Sequence, residues 1–111
     1  MDFQVATVPG SRAIRLEGEL DMSGMDALQP AVDEAMMAGG PLVVDLTALT
    51  FMDSTGINAW AKAGTLLAEG GWCIYLHVNS GIVERVLEMS GIDRLPNLHI
   101  SRHPGADTPA A

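Results

Sequence analysis

Phe3, Val5, Ala6 and Val8 alternate with Gln4 and Thr7, and Pro9-Gly10 closes this run before Ala13-Ile14-Arg15-Leu16 resumes it. A loop this short joins antiparallel neighbours, because a parallel pair needs a crossover of roughly a dozen residues or more, so the two runs predict a hairpin. Gly18-Glu19-Leu20-Asp21 ends the second strand. Ser23 is placed to cap a following helix, with Asp26 three residues on in a box-like position. Met25, Leu28, Val32, Ala35 and Met36 then recur at helical spacing. Pro30 falls inside that stripe. An interior proline removes a hydrogen bond and clashes with the preceding turn, at about 3 kcal/mol, so a bend or a short first turn restarting near Pro30 is expected. Gly39-Gly40-Pro41 stops the helix.

Leu42-Val43-Val44-Asp45-Leu46 is nearly continuous apolar sequence rich in β-branched residues, which predicts a central strand covered on both faces. After a short loop, Asp53-Ser54-Thr55-Gly56 opens a second helix with Ile57, Trp60, Ala61, Gly64 and Leu67/Ala68 on one face, closed by Gly70-Gly71. Trp72 to Val78 reads as another apolar strand. Asn79-Ser80-Gly81 starts a third helix, with Ile82, Val83, Val86, Leu87 and Ser90 inward and Gly91 at its end. Leu98-His99-Ile100 is a candidate edge strand. The order predicts a small two-layer α/β domain: an antiparallel hairpin, then β-α repeats joined by right-handed crossovers into a mixed, mostly parallel sheet packed with helices. Residues 1–100 form this single domain, and 101–111, with two prolines and several small residues, reads as a mobile tail.

Composition narrows the class of activity. The chain has 111 residues, and 6 Lys+Arg against 14 Asp+Glu give a formal net charge of −8. Phosphate contact needs clustered Lys and Arg, so nucleic-acid binding is not expected, and a macromolecular partner should be a protein. The start Met1-Asp2-Phe3-Gln4-Val5 lacks the pattern of a secretory signal, and no apolar run approaches the roughly 20 residues of a membrane-spanning helix. A cytoplasmic protein with no direct membrane insertion is expected. Cys73, the only cysteine, excludes an intrachain disulfide and reads as a small core residue.

Thr50-Phe51-Met52-Asp53-Ser54-Thr55-Gly56 is the most informative stretch. In an α/β sheet, loops after the carboxyl ends of strands form the usual site, and this one leads straight into a helix N-terminus. Asp53 or Ser54 would cap that helix, and the small Thr55 and Gly56 leave a hydroxyl approachable. A phosphoryl group there would face the positive end of the helix dipole, where an anion is stabilised by roughly 0.3–1 kcal/mol.

Three motifs carry a resemblance to a known family: Gly18-Glu19-Leu20-Asp21, then Val43-Val44-Asp45-Leu46 followed by Phe51-Met52-Asp53-Ser54-Thr55-Gly56-Ile57, then Met89-Ser90-Gly91-Ile92. In this order and spacing the chain resembles the STAS domain, named for sulfate transporters and anti-sigma factor antagonists, and most closely the short stand-alone antagonists of bacteria. The resemblance spans about Phe3 to Ile100. It implies a protein-binding switch that uses no cofactor. Unphosphorylated, such an antagonist binds an anti-sigma factor with serine kinase activity, which frees a sigma factor. The kinase phosphorylates the serine of the Asp-Ser-Ser/Thr-Gly motif, here Ser54, and a separate serine phosphatase reverses it. Thr55 replaces the commoner second serine. Asp21 matches the acidic residue that lies beside the serine, and Asp53, Thr55 and Gly56 complete the motif. Met22, Met25, Met52 and Ile57 are expected to flank it as an apolar contact patch, because methionine adapts to partner surfaces.

An enzyme reading would make Ser54 a nucleophile. The hydrolase elbow needs glycine where Met52 stands, and no His, Cys or acidic cluster has metal-ligand spacing, so a non-enzymatic role is expected. The alternative within the same fold is a STAS subunit of a larger complex, such as a lipid-transport ATPase or a stress-signalling scaffold.

Overall fold

The computed structural model describes residues 3–7, 13–79 and 81–102. Among them the chain forms strand β1 (Phe3–Thr7), β2 (Ala13–Leu20), a single 3₁₀ turn (Met22–Gly24), helix α1 (Met25–Ala38), β3 (Leu42–Met52), α2 (Ser54–Glu69), β4 (Ile74–Val78), α3 (Ile82–Ser90), a second 3₁₀ turn (Ile92–Arg94) and β5 (Leu98–Arg102). The described strands form one sheet in sequential order. β1 pairs with β2 antiparallel, and every later pair is parallel. This is the expected hairpin followed by β-α repeats, with β3 in the centre.

The core lies on one side of the sheet. Ile14, Leu16 and Leu20 of β2, Leu42, Val44 and Leu46 of β3, and Ile74, Leu76 and Val78 of β4 meet Leu28, Val32, Trp60, Ala63, Leu67, Val83 and Leu87 of the helices. A sheet whose strands follow in sequence through right-handed crossovers carries all its helices on that one side.

The other face departs from expectation. β3 is fully covered on one face only: Leu42, Val44 and Leu46 are buried, whereas Val43 and Asp45 on the opposite face are half-buried. Arg15, Asp45 and His77 are register neighbours across this open face. Arg15 Nη1 stands 3.8 Å from Asp45 Oδ2, and Tyr75 stacks on His99 with ring centroids 5.3 Å apart. Burial works to raise the Asp45 carboxyl, yet it is held below the usual aspartate value of 3.8, because Thr47 donates through both its hydroxyl and its amide and Arg15 and His77 lie near. A depressed folded pKa gives stability that is present above the unfolded value and lost as pH falls through the folded one. Asp45→Asn is therefore expected to lower the urea midpoint near neutral pH, with the gap to wild type closing as pH drops below 3.8.

Several local expectations are corrected. Helix α1 runs unbroken through Pro30. Pro30 and the residue four before it, Asp26, are both exposed, so the carbonyl that loses its amide partner faces water. Ser23 does not cap α1; it donates to Asp21, which caps the preceding 3₁₀ turn. β4 begins at Ile74, leaving Trp72 exposed and Cys73 half-buried instead of in the core. On α2, Ala68 is exposed and Ala63 takes its place in the core. On α3, Ile82 and Ser90 are exposed, and Glu84 is buried with Val83 and Leu87. Glu84 Oε2 accepts from Nε and Nη2 of Arg102, each at 2.6 Å, so β5 extends two residues into the expected tail. The remainder of that tail, 103–111, lies outside the described residues.

Candidate functional site

β2 and β3 end side by side. Leu20 pairs with Met52 in parallel register, so the next residues, Asp21 and Asp53, leave the sheet on strands about 4.8 Å apart. Asp53 N–H donates to the Leu20 carbonyl at 3.3 Å, which ties the two exits together. Each aspartate then caps its own turn. Asp21 Oδ1 accepts from the Ser23 amide at 2.9 Å and the Ser23 hydroxyl at 2.6 Å. Asp53 Oδ1 accepts from the Thr55 amide at 2.9 Å, and its carbonyl accepts from Gly56 and Ile57. Of the two capping candidates, Asp53 is the cap and Ser54 is the first helical residue.

The register that brings these ends together depends on two irregularities. Between Arg15 and Glu17 of β2, and again between Gly18 and Glu19, β3 advances one residue more than β2 does. Such bulges commonly sit beside functional sites, where they re-aim a strand end. Gly18 stands at the second irregularity with φ +96°, a backbone state that other residues adopt only with strain. Thr50 Oγ1 donates to the Gly18 carbonyl at 3.0 Å across it.

Packing beneath the loop is tight. A Cβ at Gly56 would overlap Met52 Cγ and lie 2.7 Å from Met52 Sδ and 2.9 Å from Leu20 Cδ2. The buried Trp60 indole N–H donates to Met52 Sδ at 3.3 Å, so the thioether is held between the indole and the first turn of α2.

The expected site residues therefore separate by accessibility. Ser54 is exposed, and Asp21, Asp53, Thr55, Met25 and Ile57 are half-buried. Met22 is 77% exposed. Met52 and Gly56 are corrected: both are buried, so they support the loop from below and offer a partner no surface. Phe51, whose side chain the bulged end of β3 leaves 38% exposed, joins Met22 as an apolar group at this end of the sheet. The sequence signal for it was a large aromatic two residues before the cap. The Ser23 hydroxyl, helped by the backbone amides of Ser23 and Gly24 and opposed by desolvation, holds the Asp21 carboxyl below its usual value. Two carboxylates and an exposed hydroxyl at a helix N-terminus make a surface on which one added phosphate changes the charge sharply while the helix tolerates it. Among the described residues, no group of His, Cys, Asp and Glu is arranged to hold a metal ion, and no helix is long and apolar enough to cross a membrane.

Comparison with known proteins agrees with this architecture. An anti-sigma factor antagonist from Mycobacterium paratuberculosis superposes with a TM-score of 0.73 at 23% identity, over 88% of this chain and 84% of that one. The anti-sigma factor antagonist SpoIIAA in its unphosphorylated form gives 0.72 at 24% identity, over 94% and 90%. A chain from the complex of the diguanylate cyclase SiaD with its activator SiaC from Pseudomonas aeruginosa gives 0.62 at 19% identity, over 92% and 93%. At these identities the likeness is one of fold. The family model described as Mlab, STAS domain matches residues 3–99, from the first residue of β1 into β5, and on that match the chain belongs to the STAS domain family.

Proposed function

We propose that this protein is a cytoplasmic anti-sigma factor antagonist switched by phosphorylation of Ser54. Unphosphorylated, it binds an anti-sigma factor with serine kinase activity and so frees a sigma factor for transcription. The kinase brings ATP: Ser54 Oγ bonds to the γ-phosphorus as the bond to the bridging oxygen of ADP breaks, and the hydroxyl proton passes to a base of the kinase. A separate serine phosphatase returns the hydroxyl.

The observation that carries this reading is the exposed Ser54 as the first residue of a helix capped by a different side chain. Because Asp53 already serves as the cap, modification of Ser54 removes no capping bond. The dianion gains from the helix N-terminus, while Asp21 and Asp53 beside it deepen a negative field against any partner surface that docks there. Thr55 is half-buried, which favours Ser54 over its neighbour as the acceptor.

A second reading, a STAS subunit of a larger complex, draws on the fold likeness to a chain from the complex of a cyclase with its activator. A pull-down from the source cell separates the two. With wild type, Ser54→Ala and Ser54→Asp as baits, the antagonist reading expects a kinase-type anti-sigma factor retained by the first two and released by Ser54→Asp. Capture of a membrane ATPase or a signalling assembly, insensitive to Ser54→Asp, would contradict it.

A further inference from the structure

Strand β5 closes the sheet at the edge opposite β1, and among the described residues no strand lies beyond it. Ile74 N–H donates to the Asn97 carbonyl at 2.9 Å, and the parallel register runs on from Ile74↔Leu98 to Leu76↔Ile100. Successive residues of a strand turn their backbone N–H and C=O groups to alternate sides. Asn97, His99 and Ser101 therefore face β4, and Leu98, Ile100 and Arg102 face away from the sheet. The Leu98 amide is spent on the Leu95 carbonyl at 3.2 Å. The Leu98 carbonyl, both backbone polar groups of Ile100 and the Arg102 amide are left as an open ladder along the edge, a template for another strand.

A groove of about 490 Å³ runs beside this edge, between β5 and the segment of α3 and the second 3₁₀ turn. Leu98 and Ile100, whose side chains point inward, line it together with the exposed His99 on the opposite face, so it follows the rim of the strand. Apart from His99, its titratable lining is Glu84, Glu88 and Asp93 against Arg102. Arg102 is committed to the buried Glu84 through two contacts of 2.6 Å. Glu88 and Asp93, both exposed and without an ion pair among the described residues, therefore set the sign of the groove. Arg85 and Arg94, from the same segments, stand outside its lining.

We infer that the β5 edge binds an extended, basic segment of a protein partner, which adds to the sheet as a further strand. The open ladder requires an occupant with an extended backbone, and main-chain hydrogen bonds supply the affinity. The carboxylates of Glu88 and Asp93 select Lys or Arg at the alternate positions that face α3. Other occupants fit the groove less well. A second copy would bring its own Glu88 and Asp93, and a net charge of −8, to the same surface. Residues 103–111 of this chain hold one acid, Asp107, and no Lys or Arg. β5 stands two strands from β3, about 10 Å across the sheet, so this surface is separate from the one at Ser54.

The test uses the full chain, ¹⁵N-labelled, and a capped peptide of about seven residues that alternates valine and lysine, long enough to span the 5 residues of β5. One counterpart carries glutamate for every lysine. The other keeps the lysines but is N-methylated along its backbone and cannot donate to a ladder. In the free chain the Ile100 amide is expected to exchange rapidly with solvent deuterium. The lysine peptide should protect it, shift the amides of β5 and α3, and bind at least about tenfold more tightly than either counterpart. The double variant Glu88→Gln/Asp93→Asn, which changes only exposed side chains, should weaken binding by about tenfold or more. An Ile100 amide already protected in the free chain would mean that the chain itself or a second copy covers the edge, and would overturn the inference. Shifts confined to β1 or to α1 and α2, equal binding of the three peptides, or a double variant that binds as wild type does would each overturn it too. No kinase and no modification of Ser54 enters this assay, so its outcome is independent of the proposed switch.

Discussion

Gly56→Ala is expected to destabilise the protein by about 1–2 kcal/mol and to slow modification of Ser54. Alanine favours a helix over glycine by about 1 kcal/mol, so propensity alone gives the opposite sign. The clash is larger. Its nearest atoms, Met52 Cγ and Sδ, belong to a side chain 1% exposed whose sulfur accepts from Trp60, and Leu20 on the third side is fully buried. None of them has room to retreat, and overpacking of this kind costs about 1–3 kcal/mol. Urea midpoints would report the loss. The double variant Gly56→Ala/Met52→Val should lose less than the two single changes together, because the new methyl occupies space that valine vacates.

Trp60→Ala is expected to remove about 3–5 kcal/mol, a large share of the roughly 5–15 kcal/mol that holds a domain of this kind. Trp60 is fully buried and is the largest side chain in the core, under the first turns of α2. Trp60→Phe keeps most of the ring volume and deletes the N–H donor, so a loss nearer 1 kcal/mol is expected. Equilibrium urea unfolding of both variants measures the contrast. A Phe variant as unstable as the Ala variant would mean that the indole–thioether contact, and not bulk, dominates.

The hairpin, the three helices, the central place of β3 and the edge strand were legible because each rests on short-range periodicity or turn chemistry. The length of β3 was not. Its buried residues fall at Leu42, Val44 and Leu46, then at Leu49 and Met52, so each bulge displaces the alternation by one residue and erases the period of two. A reading from periodicity therefore ended the strand at Leu46 and placed Met52 in a loop, with a contact role that its burial excludes. The orientation of α3 was hidden for a different reason. Glu84 is buried through a partner eighteen residues away in sequence, Arg102, and no local pattern announces such a pairing. Open and covered sheet faces were likewise indistinguishable, since Val43 and Tyr75 are apolar enough to suit either.

In the site, Asp53-Ser54-Thr55-Gly56 was legible as a capped helix start. The choice of cap was not, because aspartate and serine compete on nearly equal terms. The backbone geometry decides it: Asp53 is extended, at φ −106° and ψ −167°, and its carboxylate reaches the Thr55 amide. The role of Ser23 followed the same logic in reverse, with Asp21 one turn earlier taking the cap. Both aspartates thereby keep fixed positions at the paired ends of β2 and β3, on either side of the surface that a partner would read.

The central claim is that one phosphate on Ser54 is the switch. Its most direct measurement is intact mass after incubation with the partner kinase and ATP, followed by the affinity of the modified protein for that partner. The account predicts one phosphate on wild type and on Thr55→Ala, none on Ser54→Ala, and an affinity for the modified form lower by about a hundredfold, some 2.7 kcal/mol. Phosphate retained by Ser54→Ala, or a modified protein that binds as tightly as the unmodified one, would contradict it.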